Sequence, residues 1–214
     1  APQQRLHTDP VVHAYAITAR RCGFHEEHLA AFFSSMRADL TQREYSPSEL
    51  QDYIYGSAEA IGLLCLQIFL AEENVSPADR AAMERGARAL GSAFQKINFL
   101  RDLREDSSTL GRTYFQQAPS GRIDETSKSA LIAEIRRELA TAALTIDLLP
   151  ASARVGVSAA ADIFAELTNR LAATPATALA TTRVSVPNHT KAWLAARAVR
   201  RRGHSSRTSA TAEN

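Results

Sequence analysis

Soft and redox-active side chains are scarce in this 214-residue sequence, which holds two cysteines, two methionines and one tryptophan. Cys22 and Cys65 lie on separate apolar segments without C-x-x-C spacing. That excludes a disulfide framework and a thiolate metal centre, and is what reduced, buried, inert thiols of a cytoplasmic protein look like. An excess of one charge is also missing: 25 Lys and Arg face 23 Asp and Glu, a net charge of +2. Such a balance gives no bulk electrostatic case for a nucleic-acid partner. The longest apolar run, Ala60 to Ala71, is broken by Gln67 and is about half of what a bilayer crossing needs. No basic leader followed by an apolar stretch opens the sequence, so neither secretion nor a span is expected. Period-2 runs of β-branched residues are rare while Ala, Leu, Glu and Arg are frequent, which predicts an all-α fold. The length suffices for one core, hence a single helical domain over residues 1–202.

What punctuation there is marks the helices. Asp9-Pro10 opens a helix that Gly23 stops, about Pro10 to Cys22. A second runs from about Glu26 to Leu40, with Leu29, Phe32, Phe33, Met36 and Leu40 on one face. Ser46-Pro47 followed by Glu49 opens a third, to about Phe69. Ser76-Pro77 repeats the signal and opens a helix ending near Asp106, before the break at Ser107, Ser108, Thr109 and Gly111. Ser127 to Leu149, Ala151 to Leu171 and Asn188 to Arg201 complete the set, with boundaries at Pro150, Pro175 and Pro187. From Gly203 to Asn214 the sequence is polar and predicts a disordered tail. Ala rather than Met at the first position points to a processed or partial chain.

The run Gln95 to Phe115 carries the chemistry. Residues four apart stack on a helix, so Gln95, Asn98, Asp102 and Asp106 form one stripe, with Arg101 and Glu105 beside it. Five of these six offer oxygens, and an oxygen-only set with no His or Cys suits Mg²⁺, completed by a substrate's phosphate oxygens. A salt-bridged solvated face among Arg101, Arg104 and Arg112 is the plainer alternative. Leu90, Phe94, Ile97, Phe99 and Leu100 argue for burial on the flanks, where carboxylates must be paired or metal-bound. Glu134 and Glu138, also four apart beside Arg136 and Arg137, read as a solvated ion-pair face.

The stripe resembles the second aspartate-rich motif of the squalene and phytoene synthases, Q-x-x-N-x-x-R-D-x-x-x-D followed by G-R-x-Y. The matching residues are Gln95, Asn98, Arg101, Asp102, Asp106, Gly111, Arg112 and Tyr114. Upstream, Tyr53 to Leu66 resembles the family's tyrosine-containing helix, and the run to TRVSVPNHTKAW resembles its C-terminal helices. The likeness covers roughly residues 9 to 195 and is closest in flavour to bacterial phytoene synthases.

That resemblance implies an isoprenoid-synthase-type helical bundle that joins two prenyl diphosphates head to head through a cyclopropylcarbinyl diphosphate. It implies geranylgeranyl diphosphate as substrate and phytoene as product in carotenoid biosynthesis; squalene or dehydrosqualene from farnesyl diphosphate is the close alternative. Asn98, Asp102 and Asp106 would hold Mg²⁺, or Mn²⁺, with Glu105 as an outer partner. Arg101, Arg112, Gln95 and Tyr114 would contact substrate. Tyr53 aligns with the tyrosine proposed to assist ionisation, and joins Asp102 and Asp106 as a catalytic candidate. Peripheral membrane contact is implied by an isoprenoid product, and the basic cluster Arg197, Arg200, Arg201, Arg202 and Arg207 could meet anionic lipid; a solvated helix end is the other reading.

Departures from the family pattern stand beside the matches. No D-x-x-x-D precedes Tyr53, Glu59 stands where the family has Gly more often, and Phe164 aligns with a family tyrosine. The first motif and N-terminal helices are therefore expected to be missing from this chain, leaving a half site, inactive or very weak in isolation. A non-catalytic helical binding or assembly homologue is the rival class. Oligomeric state is not legible.

Overall fold

Capping side chains fix where the helices begin. Asp9 accepts the Val11 and Val12 amides on Oδ1, at 2.8 and 3.1 Å, and α1 (Pro10–Cys22) ends on Gly23 in the left-handed region at φ 65°. After α2 (Glu26–Thr41), a capping box between Ser46 and Glu49 opens α3 (Pro47–Ile54). Such caps are worth about 1 kcal/mol each, by satisfying amides that a helix start leaves unpaired. The computed structural model describes residues 8–108 and 123–210, the side chains of 104–108 and 202–210 excepted. Within them the chain is all-α.

The long third helix expected from the sequence is interrupted. One π-helical turn, Tyr55–Glu59, separates α3 from α4 (Ala60–Phe69). Around that wider turn the Tyr53 carbonyl accepts the hydroxyls of Ser57, at 2.6 Å, and of Ser35 on α2, at 3.2 Å. Next comes α5 (Pro77–Ser108), which packs along much of its length on α6 (Glu125–Ile146) and touches α4, the π turn, α7 (Ala151–Ala173) and the short α8 (Ala176–Leu179). The last helix, α9 (Asn188–Ala210), lies on α7. It runs on through Gly203, past the end expected at Arg201. A single mid-helix glycine costs only about 1 kcal/mol, and the Ser, Arg and Ala that follow do not stop a helix.

The main core joins α5, α6, α7 and α8 around Ile97, Leu100, Ile135 and Leu171, all fully buried. Lys128 ties its lower edge together. Its buried ammonium donates to the Thr174 carbonyl at 2.6 Å and to Ala172 at 3.3 Å, capping the end of α7, while Glu125 accepts the Ala176 amide at 2.9 Å. A cation on unpaired C-terminal carbonyls is favourable on both hydrogen-bond and dipole grounds. This joint fixes the start of the segment that carries Arg183. Arg197 and Arg201 both reach Asp162 of α7, at 3.2 and 3.3 Å, so two members of the basic cluster hold α9 in place. No helix among the described residues is long and apolar enough to cross a membrane.

Candidate active site

Helix α5 presents different chemistry to each side. Met83, Ala87, Leu90 and Phe94 line a cavity of about 570 Å³ whose other walls, from the π turn, α4, α6 and α7, are almost wholly apolar. Small residues make that room: Gly62, Gly91 and Gly156 all lie on its wall. Continuing the same helical spacing past Phe94 gives Asn98, Arg101 and Asp102, so the polar stripe stands on the cavity's side of α5, one to two turns on. Phe94 stacks on Phe164 of α7 with ring centroids 3.8 Å apart at that end. The opposite face of α5, with Arg88, Ser92, Lys96 and Phe99, lines a second cavity of about 970 Å³ with mixed polar and apolar walls.

On the stripe, Asn98 Oδ1 is buried with no hydrogen-bond partner among the described residues. A buried amide oxygen without a donor is costly and calls for a ligand. One turn on, Arg101 holds Asp102 in a fork, Nε at 3.0 and 3.1 Å from the two carboxylate oxygens and a terminal nitrogen at 2.5 Å. Arg183 reaches the same carboxylate from the segment after α8, with Nε 3.1 Å from Oδ1. Gln95 is half-buried. Asp106 and Glu105 continue α5, but their side chains lie outside the described residues, as do Gly111, Arg112 and Tyr114 entirely. Among described side chains, Gln95, Asn98 and Asp102 are thus the oxygen donors aligned on this face. That donor set fits a hard, oxygen-seeking cation of the Mg²⁺ kind, provided a guanidinium gives way at Asp102.

Tyr53 is not on the apolar wall. Its ring packs between Tyr45 and Phe99, at 5.1 and 6.1 Å, and its hydroxyl donates to Asp39 Oδ1 at 2.9 Å. It lines a smaller cavity of about 340 Å³ between α2 and α3. Glu59 is held by Arg88 at 2.7 Å, and that guanidinium lies over the Tyr55 ring at 5.4 Å.

Two residues escaped the sequence reading. Arg183 is the lone charged side chain between Arg170 and Lys191, and that isolation was the available signal. Lys96 is the other. The expected solvated face at Glu134 and Glu138 is corrected by it: α6 turns both toward α5, where the Lys96 ammonium, almost buried, meets them at 2.6 and 2.5 Å. Ser92 adds a hydroxyl to Glu138 at 2.9 Å. Burial works against the ammonium, but the two carboxylates outweigh it and hold Lys96 above the ordinary lysine value. Burial likewise pushes the Glu138 carboxyl up, with Lys96 pulling the other way.

Comparison with known proteins decides what this arrangement belongs to. The squalene/phytoene synthase family profile matches residues 2–190. The chain belongs to that family. Among curated relatives of this synthase family, a chloroplastic phytoene synthase 3 of Zea mays is 43% identical over 86 residues, covering 38% of this chain and 19% of that protein. A bifunctional lycopene cyclase/phytoene synthase of Phycomyces blakesleeanus is 31% identical over 154 residues, 59% of this chain and 24% of that one. The chain therefore spans about a fifth to a quarter of the length of these relatives. A solved squalene synthase, HpnC from Alicyclobacillus acidocaldarius, superposes with a TM-score of 0.56 at 20% identity, over 78% of this chain and 64% of its own. That likeness establishes the isoprenoid-synthase helical fold.

Proposed function

We propose that this synthase-family chain is the part of a phytoene synthase that holds one diphosphate and shelters the isoprenoid chain attached to it. The observation that carries the reading is the junction on α5: an apolar cavity flanked by small side chains, continued along the same face by an unsatisfied Asn98 oxygen and Asp102. Sequence likeness to phytoene synthases supports geranylgeranyl rather than farnesyl diphosphate. Asn98 and Asp102, with Asp106 from the motif, would hold Mg²⁺, whose role when bound is to stabilise the departing diphosphate as a Lewis acid. The chain's own residues do the rest. Arg101 and Arg183 neutralise Asp102 while the site awaits ligand, and their forked N–H groups then serve diphosphate oxygens instead. Phe94, Phe164 and the glycine-lined wall exclude water from a developing allylic cation, and the aromatic faces favour positive charge. A synthase of this activity would meet a lipid surface peripherally, since its product is a hydrocarbon.

Binding rather than turnover tests this, because the chain spans only part of its relatives' length. Titrated with geranylgeranyl diphosphate and Mg²⁺, the chain is expected to bind saturably. Farnesyl diphosphate should bind at least tenfold more weakly, since each buried CH₂ contributes about 0.8 kcal/mol. Asp102→Asn should remove the Mg²⁺ dependence while the melting temperature holds. Arg183→Ala should weaken diphosphate binding without weakening Mg²⁺ binding alone, because Asp102 loses a competitor. A large stability loss in Asp102→Asn with binding unchanged would favour the rival reading, a non-catalytic helical assembly protein. Equal affinity for the two prenyl lengths would favour a squalene-type synthase.

A further inference from the structure

Away from the α5 stripe, three ligand-bearing side chains meet at the start of α2. His25, Glu27 and His28 place one candidate ligand atom each within 4.8 Å of the others. His25 sits at the N-cap position with its side chain unused in capping, and its Nδ1 lies 3.7 Å from Glu27 Oε1. Its ring stacks on that of His28 at 5.4 Å between centroids. His28 is buried, and its Nδ1 lies 2.9 Å from the Tyr55 hydroxyl of the π turn.

We propose that His25, Glu27 and His28 form a binding site for a divalent transition ion of the Zn²⁺ class, distinct from the Mg²⁺ stripe. Two imidazoles and one carboxylate, leaving a position for water, are a donor set that Zn²⁺ takes and Mg²⁺ does not prefer. The Tyr55 contact supplies what metal-binding histidines need behind them. In the tautomer whose Nδ1–H donates to the phenol oxygen, the ring is held in place and the Nε2 lone pair is left for the ion. Ligands on a tetrahedral ion stand about 3.3 Å apart, closer than in this cluster. The exposed His25 and Glu27 can close on the fixed His28 by rotating side chains in solvent. The positive end of α2 opposes a cation there, and Glu26 beside Glu27 offsets it. A bound ion would tie the first turn of α2 to the π turn, and through Tyr55 to Arg88 and Glu59.

The test is calorimetric titration of the untagged chain with ZnCl₂ alone and MgCl₂ alone. One saturable Zn²⁺ equivalent is expected, with no Mg²⁺ competition for it. His25→Ala and Glu27→Gln, both at exposed positions that leave the fold intact, should each weaken Zn²⁺ at least tenfold. Tyr55→Phe should weaken it about tenfold by freeing the His28 ring, while His189→Ala should change nothing. Zn²⁺ affinity unchanged in His25→Ala, or lost equally in His189→Ala, would overturn the assignment. Neither result touches the diphosphate reading, which rests on other residues and another ion.

Discussion

Replacing Lys96 by Met should cost the protein about 3 kcal/mol, the low end for removing one partner of a buried ion pair, and lower the melting temperature by roughly 6–12 °C. The low end applies because Glu134 is about half exposed, 46%, and can turn to water, whereas Glu138 is 21% exposed and cannot. Methionine keeps the stem and its packing, so the loss isolates the charge. Glu138 would then lack its counter-ion in a half-buried site, with Oε2 already unpartnered among the described residues. Its carboxyl, pushed up by burial in the native chain, would rise further. Between an ordinary carboxylate pKa and that raised value the folded state keeps a proton that the unfolded chain has released, so folding gains as pH falls. The deficit of the variant should therefore be larger at neutrality than at about pH 5. Thermal melts of both chains at the two pH values would show it. A melting temperature unmoved at neutrality would mean that the cluster is solvated after all.

The same cluster explains what the sequence could and could not disclose. Helix starts were legible to the residue at Pro10, Pro47 and Pro77, because a capping side chain and a proline act within four residues of one another. The α5 stripe was legible because helical spacing alone puts Asn98 and Asp102 on one face. Glu134 and Glu138 looked solvated because their nearest charges in sequence are arginines; their partner lies on another helix, and no local rule names it. The π turn was hidden for a like reason. It answers to Gly56, whose bare backbone meets α2 at Ala31, a contact between segments far apart in sequence. Arg183 stood out only by its isolation, and its pairing with Asp102 depends on how the Lys128 and Glu125 joint sets the α7 to α8 turn.

Among the described glycines whose added methyl would meet backbone, alanine in place of Gly56 should be the most damaging, and these glycines together make a graded test of the packing that shapes the cavity. A Cβ at Gly56 would lie 2.3 Å from the Ala31 carbonyl oxygen and 2.3 Å from Ser35 Oγ. The serine can rotate; the α2 backbone cannot, so the π turn and α2 must separate, at about 3 kcal/mol or more, the upper end for overpacking. At Gly62 and Gly91 the obstacles are the carbonyls of Ala87 and Ala58, at 2.7 and 2.6 Å. These two contacts join α5 to α4 and the π turn beside the apolar cavity. Alanine there should cost about 1–3 kcal/mol and, by prising the helices apart, weaken prenyl-chain binding more than diphosphate binding. Gly156 faces the same cavity, and a methyl added there would meet nothing within 4 Å. In mid-helix α7 its replacement should stabilise the fold by about 0.5–1 kcal/mol, since alanine loses less backbone freedom on folding. The order of melting temperatures, Gly156→Ala above the native chain, Gly62→Ala and Gly91→Ala below it, Gly56→Ala lowest, follows from backbone proximity alone. Gly56→Ala melting with the native chain would show that α2 does not press on the π turn, and would remove the physical reason for that turn's existence.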